Sequence, residues 1–213
     1  MKQTEKKYPR LLHLKSIRVM SVIFLIVWVA SAFRDRMDLP VDKNTEAKIA
    51  KDSAESVKAF MKVYKVLMSP RCMNCHPAGD APLQGDDSHI HSMNVQRGPD
   101  GKGLYAAKCS NCHQPENAPG MHTPPGNPKW QLPPANMKMV FQGRNPRQLA
   151  LQIMNYNLNG HKNRQQLIEH ARDTLVKSAW HMGEGRTPPP MDYSAFVSVW
   201  DTWIKKGAYA PKP

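Results

Sequence analysis

Three things are scarce in this chain: cysteine, acidic residues and long apolar runs. Four cysteines in 213 residues leave room for two pairs and no more. Asp and Glu number 17 against 30 Lys and Arg, for a formal charge of +13. No clustered basic helix and no stacking-aromatic module accompanies that excess, so it does not read as a nucleic-acid surface. The longest largely apolar run, Val19 to Phe33, has 15 residues, short of the roughly 20 that a helix needs to span a bilayer. A βαβ pattern is missing too, which removes the usual setting of a thioredoxin-like redox pair.

The apolar run follows a basic head of Lys2, Lys6, Lys7, Arg10, Lys15 and Arg18, and Ala30-Ser31-Ala32 stands near its end. Basic region, apolar region and small residues at alternate positions make the plan of a secretory signal, cleaved after Ala32. An uncleaved single anchor is the alternative. Residues 1–36 are therefore expected to be a signal peptide or N-terminal membrane anchor. Either one puts residues 37–213 outside the cytoplasm, periplasmic and soluble or held at the inner membrane by that segment. Residues 1–32 account for +5 of the charge, six basic residues against Glu5, leaving +8 for the exported part.

The four cysteines fall in two short stretches, Cys72-Met73-Asn74-Cys75-His76 and Cys109-Ser110-Asn111-Cys112-His113. Each is C-x-x-C-H, the attachment pattern of c-type haem. Two cysteines at this spacing reach the two vinyl groups of one porphyrin, and the adjacent histidine comes under the iron as its proximal base. The copies agree beyond the pattern: both read basic residue, Cys, x, Asn, Cys, His, from Arg71 and from Lys108. A single Cys₄ zinc site competes, but 33 residues separate Cys75 from Cys109, more than a zinc ribbon uses, and zinc leaves both histidines unexplained. Disulfides leave the histidines idle as well. The expectation is two covalently attached haem c groups, with thioethers at Cys72, Cys75, Cys109 and Cys112 and proximal iron ligands His76 and His113. Their four propionates would offset half of the +8.

Along the chain, Arg34 to Leu39 reads as a tether. From Thr45 to Met68, Ala50, Ala54, Val57, Phe60 or Met61, Tyr64 and Leu67 recur at helical steps and predict a helix with one core-facing side, stopped by Pro70. Residues 77–101 show no periodicity and are punctuated by Pro and Gly. Gly103-Leu104-Tyr105-Ala106-Ala107-Lys108 predicts a short helix entering the second motif. Residues 114–144 are again Pro-rich. Asn145 with Pro146 predicts an N-capped helix carrying Leu149, Ile153 and Leu158 to near Gly160. Asn163 predicts a second, carrying Leu167, Ile168, Ala171 and Leu175 to near Gly183. Asp192 caps a third, lined by Phe196, Val199, Trp200 and Trp203 and closed by Gly207.

Each iron needs a sixth ligand or stays open for chemistry. His91, His122 and Met139 are the candidates, because they lie in irregular loops able to bend over a porphyrin. His91 is assigned to the haem at Cys109 and Cys112, with Asp86 and Asp87 orienting its ring. The first haem then takes His122 or Met139. His89 shares the loop, His161 and His170 read as solvated helix residues, and His181 as a partner of a helix C-terminus. Arg97, Trp130 and Arg144 are candidate donors to propionates.

Two resemblances follow from these segments. The short stretch before Cys109, the methionine in the Pro-containing loop at Leu132 to Met139, and the closing Trp203-Ile204-x-x-Gly207-Ala208 resemble class I cytochromes c, in which the terminal helices cross. The loops Arg71–Pro77, Pro82–Asp86, Asn94–Gly101 and Gly185–Pro190 resemble a family of small exported dihaem cytochromes, some carrying the label of an isoquinoline 1-oxidoreductase subunit. That likeness runs from Phe60 onward. It implies a mainly α, compact dihaem cytochrome c-like domain with long Pro/Gly-rich loops wrapping the haems. It further implies an electron carrier working with a redox protein partner, a molybdenum hydroxylase. The alternative is a peroxidase-like haem enzyme with one open iron. No distal acid/base pair stands out in the sequence to support that. A zinc-stabilised binding module is the third reading, tenable only without haem.

Overall fold

The computed structural model describes residues 42–213. The leader and the tether fall outside them. Residues 48–213 form one compact unit, and of the other unit only residues 42–47 are described. Among the described residues 42% are helical and 5% in strands, a mainly α chain. No helix among them is long and apolar enough to cross a membrane.

The helix expected before the first motif is α1, Lys43–Leu67. Its buried positions, Ser56, Ala59, Phe60, Val63, Val66 and Leu67, repeat at three- and four-residue steps, so one stripe faces the core. That stripe begins only at Ser56. Ala50 and Ala54 are exposed, against expectation, and Phe60 rather than Met61 is the core residue. Pro70 ends α1 and also opens the single turn α2, Pro70–Met73, as its first residue, where a missing N–H costs nothing.

The two loop regions hold two small antiparallel hairpins. In one, β1 (Leu83–Gln84) pairs with β2 (His89–Ile90); in the other, β3 (Gly103–Leu104) pairs with β4 (Ala107–Lys108). The second replaces the helix expected over 103–108. Gly103 holds a left-handed φ of 90°, and a Cβ there would collide with the Ala107 carbonyl, so the chain turns at Tyr105. Six residues between a glycine and a constrained turn are also too few to nucleate a helix. Tyr105 is 90% exposed at the tip.

The last third supplies α3 (Pro146–Met154), α4 (Arg164–His170), α5 (Thr174–Ser178) and α6 (Tyr193–Lys205). Both asparagines cap as expected. Asn145 accepts from Gln148 N at 2.8 Å while Gln148 Oε1 accepts from Asn145 N at 3.0 Å, and Asn163 does the same with Gln166. Such a box satisfies two otherwise orphaned donors. The first two helices are shorter than expected. The chain turns extended at Asn155 and leaves Leu158 half exposed. Asp173 is also extended and breaks the expected second helix in two. Asp192 holds the N-cap backbone but makes no side-chain cap bond.

The core forms where α1 meets α6. Phe60 and Trp203, both fully buried, pack with ring centres 4.6 Å apart. Ser56 Oγ donates to the Trp203 carbonyl at 2.9 Å and accepts from Tyr209 N at 3.0 Å. Three indoles donate to carbonyls: Trp203 to Tyr209, Trp200 to Leu167 and Trp180 to Met191. Buried N–H groups are thereby satisfied. Phe141, Leu149, Ile153, Leu167 and Ala171 complete the cluster, and Cys72 and Met139 pack on it. The first motif is thus anchored on the core.

Candidate functional site

Both cysteine–histidine stretches close the same tight turn from different supports. In the first, Cys75 N donates to Cys72 O at 3.2 Å and His76 N to Met73 O at 2.9 Å. In the second, a 3₁₀ turn over Cys109–Asn111 puts Cys112 N 3.2 Å and His113 N 2.9 Å from Cys109 O. The repeated basic residue and asparagine have matching tasks. Arg71 donates to Gly85 O at 3.1 Å and Lys108 to Gly103 O at 2.9 Å. Asn74 Nδ2 donates to Gly85 O at 2.9 Å and Asn111 Nδ2 to Ala106 O. Each pair ties its turn to a neighbouring hairpin.

The two histidines are held alike. His76 Nδ1 is 2.7 Å from the Met139 carbonyl and His113 Nδ1 is 2.7 Å from the Pro125 carbonyl. A carbonyl only accepts, so the proton sits on Nδ1 and the Nε2 lone pair is free. Each ring also lies flat against an aromatic: Phe141 at 3.9 Å and 9° from His76, Trp130 at 4.1 Å and 10° from His113. Burial pushes His76 down to about 4 and lowers His113 too, so both imidazoles are neutral at pH 7. The same cause drives the Cys72 and Cys75 thiols up to about 12 and about 11, and raises Cys109. Protonated thiols do not suit a dithiol oxidoreductase, which works through a thiolate.

A cavity of about 290 Å³ lies against the second motif. Cys109, Cys112 and His113 line it, Cys75 reaches it from the first motif, and His91 and His122 stand on its wall. Both motifs therefore line one cavity. Met93 and His122, both on the wall, hold left-handed backbone, with φ of 66° and 58°. Non-glycine residues tolerate that conformation mainly where surrounding structure imposes it, often at functional sites.

These residues fit a covalently held haem. All four cysteines are free thiols, and each histidine offers Nε2 as ligand with Nδ1 fixed by a carbonyl. The ring centres of His91 and His113 are 6.3 Å apart. One metal ion bound at about 2.0–2.1 Å by a nitrogen of each ring, the two nitrogens facing each other across it, would put the centres roughly 6 to 6.5 Å apart. His91 Nδ1 faces the Ser92 carbonyl at 2.6 Å, which leaves its Nε2 free as well. A zinc site fits less well. Among the described residues no group of three or more His, Cys, Asp or Glu is placed to hold a metal ion.

Other expected residues stand elsewhere. Asp86 and Asp87 do not orient His91: Asp86 pairs with Arg71 and accepts from Thr187 N at 3.0 Å, while Asp87 pairs with His89 at 2.7 Å. Two-residue β1 and β2 turn these carboxylates toward other donors. His122 lines the cavity that both motifs reach. Met139 supplies the carbonyl behind His76, on the Nδ1 side, and its sulfur accepts from Gln152 Nε2 at 3.5 Å. Arg97 is fully buried, donating to Pro133 O at 2.6 Å and Gly79 O at 3.1 Å, so it braces the two loops. Arg144 is exposed, and its carbonyl accepts from Tyr64. Trp130 lines the cavity and stacks on His113, and its indole N–H has no partner among the described residues. Phe141 was not singled out in the sequence at all, because nothing local marks an aromatic so far from His76 as its stacking partner. Compared with protein-family models, with curated proteins and with solved structures, the chain matches none.

Proposed function

We propose that the chain is a periplasmic electron-transfer protein that carries two covalent haem c groups. Cys72, Cys75 and His76 hold one, and Cys109, Cys112 and His113 hold the other. The observation that carries this reading is the duplicated setting of the two histidines, each neutral, locked through Nδ1 to a carbonyl and stacked on an aromatic ring. Bound there, the two haems supply one-electron iron chemistry, with potentials set by axial ligands, burial and hydrogen bonds. The chain's own part is to fix the two imidazole rings and to bring both motifs to one cavity.

His91 is the distal ligand of the second site, supported by its separation from His113. The Pro/Gly-rich loops close over the porphyrins, which supply apolar surface that the short hairpins lack. The partner is a redox protein, and the resemblance to small exported dihaem cytochromes points to a molybdenum hydroxylase. The leader delivers the chain to the periplasm, free or anchored at the inner membrane, where covalent haem attachment takes place.

A peroxidase-like enzyme is the second reading. One observation favours it: Met139, a distal candidate for the first site, gives its carbonyl to His76 Nδ1 and its sulfur to Gln152 Nε2. Anaerobic reductive titration tests the choice. A carrier takes up two electrons per chain, is low-spin at both irons when oxidised and does not turn over peroxide. A high-spin signal with substrate-dependent peroxide turnover establishes the enzyme, and protein holding zinc without haem ends both readings.

A further inference from the structure

The cavity that both motifs reach is one-sided in charge. Arg71, Lys108 and Arg186 line it, and no Asp or Glu does. A neighbouring cavity of about 430 Å³ shares Arg71 and Arg186 with it, adds His181, and again has no acidic residue on its wall. The two guanidiniums therefore stand where the cavities meet. We infer that Arg71 and Arg186 together bind a propionate of the haem attached at Cys109 and Cys112. The inference rests on the dihaem reading above and names the residues that orient that group.

Both arginines have donors to spare. Arg71 is 5% exposed. Among the described residues only its Nη2 is engaged, by the Gly85 carbonyl and the Asp86 carboxylate, while its Nε is buried with no acceptor. Native chains rarely leave a buried charged donor unmet, so such an atom marks a missing partner. Arg186 donates to the Met182 carbonyl at 2.9 Å and the Thr123 carbonyl at 2.6 Å, and has no ion pair among the described residues. Burial lowers its pKa, and the Arg71 charge lowers it further against the pull of Asp86. Asp86 is thus one carboxylate for two guanidiniums, and Thr187 N draws on it as well. A half-buried cation left over in this way needs an anion.

The haem brings one. A c-type haem is fixed by its vinyl edge, and its propionates project from the opposite edge. Cys109, Cys112 and His113 line the cavity together with the arginines, whereas Cys72 and His76 do not line it. The group attached at the second motif is therefore the one that carries its carboxylates into this space. A guanidinium meets a carboxylate through charge-assisted, often bidentate bonds. Arg71 adjoins Cys72, so the basic residue of the first motif serves the haem of the second. The arginines expected from the sequence are absent from this wall: neither Arg97 nor Arg144 lines it.

The test uses the full chain with both haems attached. Arg186→Gln should lower the potential of one haem, because loss of a nearby cation favours the ferric form. It should also shift the propionate-bending bands in the resonance Raman spectrum. Arg186→Lys should restore most of the potential. Arg71→Gln should move the same potential, and that potential should be the one missing from the Cys109→Ser, Cys112→Ser variant. If Arg71→Gln fails to mature, the Arg186 variants decide alone. Unchanged potentials and bands in Arg186→Gln would mean that Arg186 only braces Met182 and Thr123, and the inference is wrong. A shift confined to the other haem also overturns it. So does a wild-type potential that responds to added phosphate or acetate and ceases to respond in Arg186→Gln, since the pair then holds a free anion. Wild-type protein with no covalent haem would overturn the dihaem reading itself, a result distinguishable from two haems that ignore Arg186.

Discussion

The turn at Cys72–His76 hangs from a 25-residue helix and a tryptophan-rich core, whereas the turn at Cys109–His113 hangs from a hairpin of two-residue strands. Both nevertheless end in the same histidine geometry, to within 0.2 Å in stacking distance, 3.9 against 4.1 Å. The supports differ and the product does not. A shared requirement at the histidine explains that, since shared scaffolding cannot. The difference lies in solvent. Cys72 packs on the core and burial drives its thiol up to about 12, while Cys112 is exposed. The first site is read as the core-anchored member of the pair and the second as the one with an exposed cysteine beside the buried Cys109.

The largest expected effect comes from deleting one motif at a time. Cys72→Ser with Cys75→Ser, and Cys109→Ser with Cys112→Ser, should each lose one covalent haem by intact mass. The first pair should also lower the melting temperature more, because Cys72 packs on the core and the haem proposed there would rest against it. Equal melting losses would break the distinction drawn between the sites.

Next in size are the stacking aromatics. Phe141 is 6% exposed in the main cluster, so Phe141→Ala should cost about 3–5 kcal/mol in denaturant unfolding. Trp130 is half-buried, outside that cluster. Trp130→Ala should cost less stability but disturb the second haem's spectrum and potential through the freed His113 ring. A spectrum indifferent to Trp130→Ala would mean the stack is only packing.

The pH response should separate the sites in the haem-free chain. The His76 pKa is pushed from about 6.5 to about 4 by burial. The unfolded chain therefore takes up the proton first, and stability falls as pH drops from 6.5 to 4. Above 6.5 both states are neutral and nothing is lost. The whole decline amounts to about 3 kcal/mol. His76→Gln should flatten that limb in denaturant titrations, and a limb unchanged by it would place the titrating group elsewhere.

The smallest effect concerns the support of the first site alone. Asn145→Ala removes the capping box that starts α3 and should cost about 1 kcal/mol. Both haem spectra should stay unchanged. A spectral change would mean that α3 reaches the first site more directly than its packing suggests.

Much of this was legible because it is local. The cysteine–histidine spacing, the repeated basic residue and asparagine, and the caps at Asn145 and Asn163 are all decided within a few residues. The hairpin at Gly103–Lys108 was not, since Leu-Tyr-Ala-Ala-Lys is compatible with a helix and only the left-handed Gly103 forbids it. The aromatic stacks and the carbonyls behind the histidines depend on contacts far along the chain, and no pattern in the sequence encodes those. Asp86 was misjudged for a related reason: proximity in sequence to His91 meant less than the buried guanidinium of Arg71, which claims its carboxylate.

The most direct measurement is the mass of the intact chain after acid and denaturant, made with cytochrome c maturation in an exporting host. Two haems still attached are expected, with one lost from each double-cysteine variant. An unmodified polypeptide mass, with zinc bound in the native protein, would contradict the account at its root.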